Sequence, residues 1–568
     1  MEMLLRKRKR EPIDIDFTLR RVFGKKSFRP IQRDVIQAVI EGHDVFLQAA
    51  TSFGKSLCFQ LPAIVGHGVT IVVSPLLALM MDQVAALEAN GIPVATINST
   101  TAQSRRRAIL TDLLSGHPTI RLLYVTPEFC QTDSFRRHLQ TVHLQGELNR
   151  IAIDEAHCVS EWGHDFRPAY KALSWLRKEL TTPLVPITAL TATATPRVRA
   201  DIIHLLGLDS SSVKLFQTPS ARPNIHYEVR YLSDYAYDPT VPETSQVNDV
   251  LIWLKAIHDR RMARLSAGDG ETKGHPVSPP LPPLYGIIYV PLRSISSELA
   301  SSLSASPLNI KAVAYHAGLP ASERAKIQST WSAPSKRTGT STIKGKKGDK
   351  PEEQPAFYIV VATNAFGMGI DNAHVRFVIH WTPPRSFEGF VQESGRAGRD
   401  GRAAVSLVYY NDQERERVVE RISRDQDTGF DTTTSTTKRR YDNATIKEMN
   451  VAKMRNREAM LDSFNKVVRY CLTTTRCRHE VIQEFSGDVV QHEGTSASTN
   501  SSSICDFACD FCKEGTLALT RRKELMSPEN SQEEEDMIDR VRRPQGGLMN
   551  GLRFASGLDF YKADFRYA

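Results

Sequence analysis

The sequence predicts an α/β protein of two tandem lobes, each built on a parallel β-sheet, followed by a small helical module closed by cysteines. Three observations predict it. Short β-branched runs alternate with helical patterns, and the alternation occurs twice along the chain. A serine-rich stretch without periodicity, 210–222, separates the two sets. Farther on, Cys505, Cys509 and Cys512 fall within eight residues. The composition agrees: of 568 residues, 41% are hydrophobic and 24% charged, enough for several buried cores. No window approaches about 18 consecutive apolar residues, so no membrane span is expected. Charge at the start of the chain is not followed by an apolar stretch, so no secretory leader is expected. Eight cysteines are too few for a disulfide scaffold, and their clustering points to a metal in a reducing compartment. Lys plus Arg number 73 against 64 for Asp plus Glu, and the net charge of +9 favours a polyanionic partner such as nucleic acid.

The chain reads in order as follows. A basic arm, 1–15, precedes the first lobe, 16–215, whose strand candidates are 44–49, 70–74, 121–125, 150–153 and 185–189. Each is short and apolar and ends in a polar or glycine-bearing turn, as buried parallel strands do. The second lobe, 216–415, has candidates at 285–290, 312–315, 358–362, 377–380 and 405–409. Two solvated insertions interrupt it, a proline-rich one at 266–283 and a Lys/Gly/Ser/Thr-rich one at 332–355. A helical module, 416–515, contains a Thr-rich break at 425–437 and then the cysteines. The tail, 516–568, shows no clear periodic element beyond a charged run at 533–543.

Ala49-Ala50-Thr51-Ser52-Phe53-Gly54-Lys55-Ser56 follows the first strand and opens a helix. The backbone N–H groups of such a loop, Thr51 and Gly54 among them, can surround phosphate oxygens, and the helix N-terminus adds its dipole. Lys55 would reach the β- and γ-phosphates and the Ser56 hydroxyl would hold Mg²⁺. Ala49 stands where the strict pattern has glycine, so the loop alone could be an ordinary strand–turn–helix. Asp154-Glu155-Ala156-His157 removes that ambiguity, because it follows a strand of the same sheet and emerges at the same edge. Asp154 would hold the metal. Glu155 would orient and deprotonate an attacking water, and His157 completes the catalytic set.

Further segments stand in a fixed order around these two: Phe28-Arg29-Pro30-Ile31-Gln32, Ser74-Pro75-Leu76, Tyr124-Val125-Thr126-Pro127-Glu128, and an aromatic-rich loop from His157 to Pro168. Thr191-Ala192-Thr193-Ala194, Tyr315-His316-Ala317-Gly318-Leu319, a motif from Ala362 to Asp371, and a last one from Gln392 to Gly401 follow. On these residues the chain resembles the RecQ family of DNA helicases, of the Bloom/Werner type within helicase superfamily two, over about residues 16–515. The resemblance implies two RecA-like lobes and a zinc-binding helical module. It implies that Arg29 and Gln32 serve adenine recognition, although the aromatic residue that the family often places near position 25 is Lys25 here. It implies that Trp162 and Phe166 stack on unpaired bases while Arg167 meets a phosphate, so that a bound base shifts the loop and hence Glu155. Gly369 and Asp371 would serve the nucleotide. Gln392, Arg396 and Arg399 would act at the γ-phosphate; the two arginines, three apart, would share a helix face and cross the interlobe cleft, Arg399 as the main finger.

The cysteine spacing suits one tetrahedral zinc with a fourth ligand from upstream. Cys477, in Arg476-Cys477-Arg478-His479, resembles the family's first ligand, with Cys471 and His479 as rivals. The cofactors implied are ATP, Mg²⁺ and Zn²⁺, and the partners are single-stranded and forked DNA. The implied activity is 3′→5′ ATP-dependent unwinding in DNA repair, recombination and replication. Arg6-Lys7-Arg8-Lys9-Arg10 suits import into the nucleus. Only 56 residues follow Cys512, fewer than the ~100 of a usual domain, so the family's winged helix is expected to be missing and unwinding to be weak. The alternatives are a DNA-stimulated ATPase or a DNA-binding scaffold. Retention of Lys55, Glu155 and the arginines favours an enzyme, and the aromatic-rich loop and cysteine cluster disfavour an RNA helicase.

Overall fold

The computed structural model describes residues 14–50, 53–160, 167–232, 246–268, 282–332, 354–367, 372–427, 443–488 and 509–524. The basic run 6–10, Thr51, Trp162, Phe166, Gly369, Asp371, Cys505 and the charged run 533–543 lie outside these residues. No helix among the described residues is long and apolar enough to cross a membrane.

The first compact unit contains a seven-stranded sheet. Its strands are β1 (Val45–Gln48), β2 (Val69–Val73), β3 (Val94–Ile97), β4 (Leu122–Val125), β5 (Leu148–Ile153), β6 (Ile187–Thr191) and β7 (Lys214–Gln217). The order is β3-β4-β2-β5-β6-β1-β7, with every pairing parallel. The central strands are buried from end to end, which is why VFLQ, VTIVV and ITALT read as unbroken apolar runs: helices cover both faces. Two separate apolar clusters, one per face of the sheet, form the core.

The second unit contains β8 (Ile225–Tyr231), β9 (Leu284–Tyr289), β10 (Ile310–Tyr315), β11 (Phe357–Ala362), β12 (Val375–His380) and β13 (Ala404–Tyr410). They form a parallel sheet in the order β10-β11-β9-β12-β13-β8. Gly286 in β9 lies under the Phe377 ring of β12, where any side chain would collide with it. Fully buried Trp331 meets Tyr285, Tyr358 and Phe366 edge-on at 5.2, 5.5 and 5.9 Å. That aromatic group anchors the Ala362–Phe366 segment beside β11.

Three strands differ from the sequence reading. β3 and β7 are edge strands of four residues, and β8 is an edge strand that alternates apolar and polar residues, IHYEVRY. An edge strand buries less than a central one and lacks the continuous apolar run that marks its neighbours. β7 lies inside the stretch 210–222 that reads as a structureless seam, while the unit boundary falls at Ser220/Ala221, within that same stretch.

Four helices follow β13 among the described residues: Asp412–Asp427, Asn443–Leu472, Arg478–Ser486 and Asp510–Glu524. Of the described residues, 443–460 and 483–488 group with the first unit, and 461–482 and 509–524 with the second. The last helix corrects the expectation of no periodic element after Cys512. It is broken at Gly515 (φ 80°), and that break hides its period from the sequence.

Candidate active site

In a parallel sheet the loops after neighbouring strands emerge at one edge. The order β2-β5-β6-β1 therefore sets four segments side by side: Ser74-Pro75, Asp154-Glu155, Thr191–Thr193 and the phosphate loop. Lys55 is buried, and its Nζ donates to the Ala49 carbonyl at 2.9 Å, across the base of the loop. Gly54 holds φ +83°, and a Cβ there would lie 2.9 Å from Gln32 Nε2. Gln32 is itself buried. Its Oε1 accepts the Arg29 N–H at 2.8 Å and its Nε2 donates to the Phe53 carbonyl at 2.7 Å. The Arg29–Gln32 segment thus seats the loop through its backbone. Ser56 stands directly before helix Leu57–Val65, at the end of the loop, and its side chain makes no capping bond there.

Asp154 is 4% exposed. Its Oδ1 accepts the Glu155 N–H at 3.1 Å, Gln83 Nε2 stands 3.5 Å from Oδ2, and its carbonyl accepts the Tyr170 hydroxyl at 3.0 Å. Burial, then the neighbouring Glu155, push its carboxyl up to about 6, and Lys55 pulls the other way. Glu155 sits in the left-handed region, φ 49° and ψ 49°, a conformation that costs a non-glycine residue about 1–3 kcal/mol and clusters at functional sites. It turns the chain sharply after β5. His157 Nδ1 lies 3.3 Å from Glu155 Oε2 and 3.0 Å from Thr191 Oγ1, and Thr191 Oγ1 donates to the Thr193 carbonyl at 3.0 Å. A chain of contacts therefore runs from the acidic pair to the segment after β6.

The two bases of the aromatic-rich loop are anchored separately. Ser160 Oγ donates to Asp201 Oδ2 at 2.5 Å, in helix Pro196–Leu205. Arg167 N–H donates to the Cys158 carbonyl at 3.0 Å, and its Nη1 to the Pro75 carbonyl at 2.8 Å. Arg167 thus ties the loop to the segment after β2, which the sequence reading did not foresee. Nor did it foresee Gln83 and Gln60, or their bonds to Tyr124 of the motif 124–128. Gln60 Nε2 donates to the Tyr124 hydroxyl at 3.0 Å, and that hydroxyl donates to Gln83 Oε1 at 2.8 Å, behind Asp154. The available signal was Gln60 itself, a buried amide in the otherwise apolar helix LCFQLPAIV.

In the second unit, helix Phe387–Ser394 carries Gln392, which is buried. Ser463 Oγ accepts the Phe387 N–H at 2.9 Å at its start. His380 Nε2 lies 2.9 Å from Glu393 Oε2 and its ring stacks on Tyr289 at 5.5 Å, while the Tyr289 hydroxyl donates to the Phe366 carbonyl at 2.8 Å. The helix ends at Ser394, so Arg396 and Arg399 lie on successive turns rather than sharing a helix face. Gly398 explains the correction: it takes φ +59°, which a helix cannot continue through.

The Sγ atoms of Cys477, Cys509 and Cys512 lie within 4.8 Å of one another, with Cys477 and Cys509 3.8 Å apart. Three converging thiols are the donor set that a tetrahedral zinc takes. Cys471 is outside this cluster; burial pushes its thiol up to about 12, so it stays protonated. His479 Nδ1 is 3.9 Å from Cys477 Sγ, and its Nε2 faces the Arg222 carbonyl at 3.1 Å. Behind the cluster, fully buried Arg478 forks onto Asp510, Nε to Oδ1 at 2.8 Å and Nη2 to Oδ2 at 3.0 Å. Asp510 Oδ2 also accepts the N–H of Val229 in edge strand β8 at 3.1 Å. The pair joins the residues next to Cys477 and Cys509 and secures them to the sheet.

Residues 29–202 match the DEAD/DEAH box helicase family, residues 286–401 the helicase conserved C-terminal domain, and residues 440–513 the RecQ zinc-binding family. The chain belongs to the RecQ helicase family. It is 35% identical to the ATP-dependent DNA helicase Q5 of Mus musculus over 90% of this chain and 44% of that protein. It is 34% identical to the RecQ-like DNA helicase blm-1 of Caenorhabditis elegans over 86% of this chain and 41% of that protein. It is 30% identical to the ATP-dependent helicase SGS1 of Saccharomyces cerevisiae over 91% and 29%. The chain thus spans less than half the length of these RecQ relatives. Its two parallel sheets are the RecA-like lobes of the family, and its three described thiols lie inside the RecQ zinc-binding match.

Proposed function

We propose that this chain is an ATP-driven motor that translocates 3′→5′ on single-stranded DNA and opens forked DNA. The observation that carries the reading is the shared edge after β2, β5, β6 and β1, where Lys55, Asp154, Glu155 and Thr191 converge.

In this reading Lys55 leaves the Ala49 carbonyl for the β- and γ-phosphates, and the Thr51 and Gly54 backbone cradles them. Arg29 and Gln32 hold the adenine end while Gln32 keeps the loop seated. Ser56 and Asp154 hold Mg²⁺, which neutralises phosphate charge when bound. Asp154 must be ionised to do so; burial and Glu155 oppose that form, and Lys55 favours it. Glu155 takes the proton of the attacking water, with His157 fixing its carboxylate. Arg396 and Arg399, with Gln392, stabilise the charge that spreads over the transferring phosphoryl. Gly369 and Asp371 complete the nucleotide contacts.

Trp162 and Phe166 stack on unpaired bases and Arg167 contributes to phosphate contact. Movement of that loop reaches the carboxylates by two routes, Arg167 to Cys158 and Tyr170 to Asp154. Zinc on Cys477, Cys505, Cys509 and Cys512 is structural. The net charge of +9 supports a DNA partner, and the basic run 6–10 supports a nuclear protein acting in repair, recombination and replication. Unwinding of duplexes with a 3′ or a 5′ single-stranded tail tests the reading. Opening of the 3′-tailed substrate alone, with ATP, is expected; ATP-independent binding without opening would instead mark a scaffold.

A further inference from the structure

The turn that carries Arg396 and Arg399 is held from a distance by a short segment just after the unit boundary, Arg222-Pro223-Asn224. Arg222 Nη2 donates to the Gly398 carbonyl at 2.7 Å and Nη1 to the Gly395 carbonyl at 3.4 Å. Each accepted carbonyl belongs to the peptide that joins a glycine to one of the two arginines: Gly395 to Arg396, and Gly398 to Arg399. One planar guanidinium therefore spans both peptides. Asn224 Nδ2 adds bonds to the Gly398 carbonyl at 2.9 Å and the Arg402 carbonyl at 2.8 Å. A Cβ on Gly398 would lie 2.5 Å from that Nδ2, so only glycine admits this approach.

The segment is itself rigid. The Ile225 N–H donates to the Arg222 carbonyl at 3.0 Å, closing a turn with Pro223 at its second position. The same carbonyl faces His479 Nε2 at 3.1 Å, two residues from Cys477. The Gly398 N–H is tied to the Val375 carbonyl of β12 at 2.9 Å. All of these groups lie in the second unit.

We propose that Arg222, assisted by Asn224, is a positioning residue that sets the spacing of Arg396 and Arg399 for phosphoryl transfer. The proposal rests on the reading of those two arginines as fingers. Arginine is required because its fork bridges two carbonyls in one plane, whereas lysine is a point charge. Releasing the fork frees both peptides at once.

The test uses the full chain and its Arg222→Ala, Arg222→Lys and Arg399→Ala variants, with saturating single-stranded DNA. Misplacement of a reacting group by about 1 Å costs about 10²-fold, and Arg222→Ala is expected to lose about that much kcat. KM for ATP should stay within about twofold, because ground-state binding does not use the turn. Amide exchange should quicken at 395–402 and remain slow in β9, β11 and β12. Arg222→Lys should also lose kcat at unchanged KM and melting temperature. Parent-like kcat in Arg222→Lys overturns the proposal even if Arg222→Ala fails to fold. Exchange that quickens throughout the second unit overturns it as well, since that marks a merely structural role. If Arg399→Ala keeps parent turnover, the finger reading has failed; if Arg399→Ala loses it and Arg222→Ala does not, the positioning proposal alone has failed.

Discussion

The phosphate loop with its acidic pair and the arginine turn are held in different ways. At the first, several bonds are short in sequence: Lys55 reaches Ala49, and the Asp154 carboxylate accepts the next N–H. The longer links, such as His157 to Thr191, join ends of adjacent strands. At the second, the turn lies beyond a helix end and meets the sheet through the Gly398 N–H on the Val375 carbonyl of β12. Its carbonyls are held by Arg222 and Asn224, more than 170 positions earlier in the chain, and the Phe387 N–H at the start of the helix before it is accepted by Ser463. A parallel sheet brings its strand-end loops together as a consequence of folding. A turn outside the sheet needs dedicated side chains, and those are where a second-lobe variant does damage without touching a motif.

The predictions press on that contrast. Arg399→Ala should lower DNA-stimulated turnover by about 10³-fold or more while ATP binding persists, the usual scale for an arginine finger. Loss of ATP binding to the same extent would place Arg399 in ground-state binding and weaken the contrast. Next in size, Asp510→Ala strips the partner from a fully buried guanidinium and should destabilise the chain by about 3–5 kcal/mol in denaturant unfolding. A change below about 1 kcal/mol would mean that the pair is not a clamp.

Tyr170→Phe removes one buried hydroxyl that donates to the Asp154 carbonyl, and should cost about 1 kcal/mol of stability. Its distinctive effect is on coupling. Basal hydrolysis should persist and the stimulation by single-stranded DNA should fall, as it should for Trp162→Ala. Equal loss of both rates would make Tyr170 structural only.

Smallest is a pH effect on the edge of the second sheet. Burial alone would raise the Glu228 carboxyl, but Arg230, His226 and Arg522 around it hold it well below the usual range. A depressed carboxylate stabilises the fold above the ordinary value of about 4.3 and loses that contribution as pH falls toward its folded value. Glu228→Gln should therefore melt below the parent at pH 7, and the gap should close in acid. A gap that widens in acid would reverse the assignment.

The legible parts of the molecule were those the sheets define. β1, β2, β5 and β6 announce themselves as apolar runs, and the residues at their C-terminal ends as chemistry. β8 was not legible because an edge strand can alternate, and the helix through 513–524 was masked by the break at Gly515. The helix read for Arg396 and Arg399 was not there, since the left-handed Gly398 between them outweighs an i,i+3 spacing. Gln83, Tyr170 and Arg222 were invisible: an isolated amide, phenol or guanidinium acquires its role only from a partner that folding brings near.

Steady-state ATP turnover of the purified chain, with and without single-stranded DNA and beside Glu155→Gln, tests the central claim most directly. The parent should hydrolyse ATP faster when DNA is present. Glu155→Gln should bind ATP and DNA as the parent does and lose about 10²–10⁴-fold in turnover, the usual contribution of a positioned base. A parent rate indifferent to DNA, or a Glu155→Gln variant that turns over at the parent rate, would contradict the account.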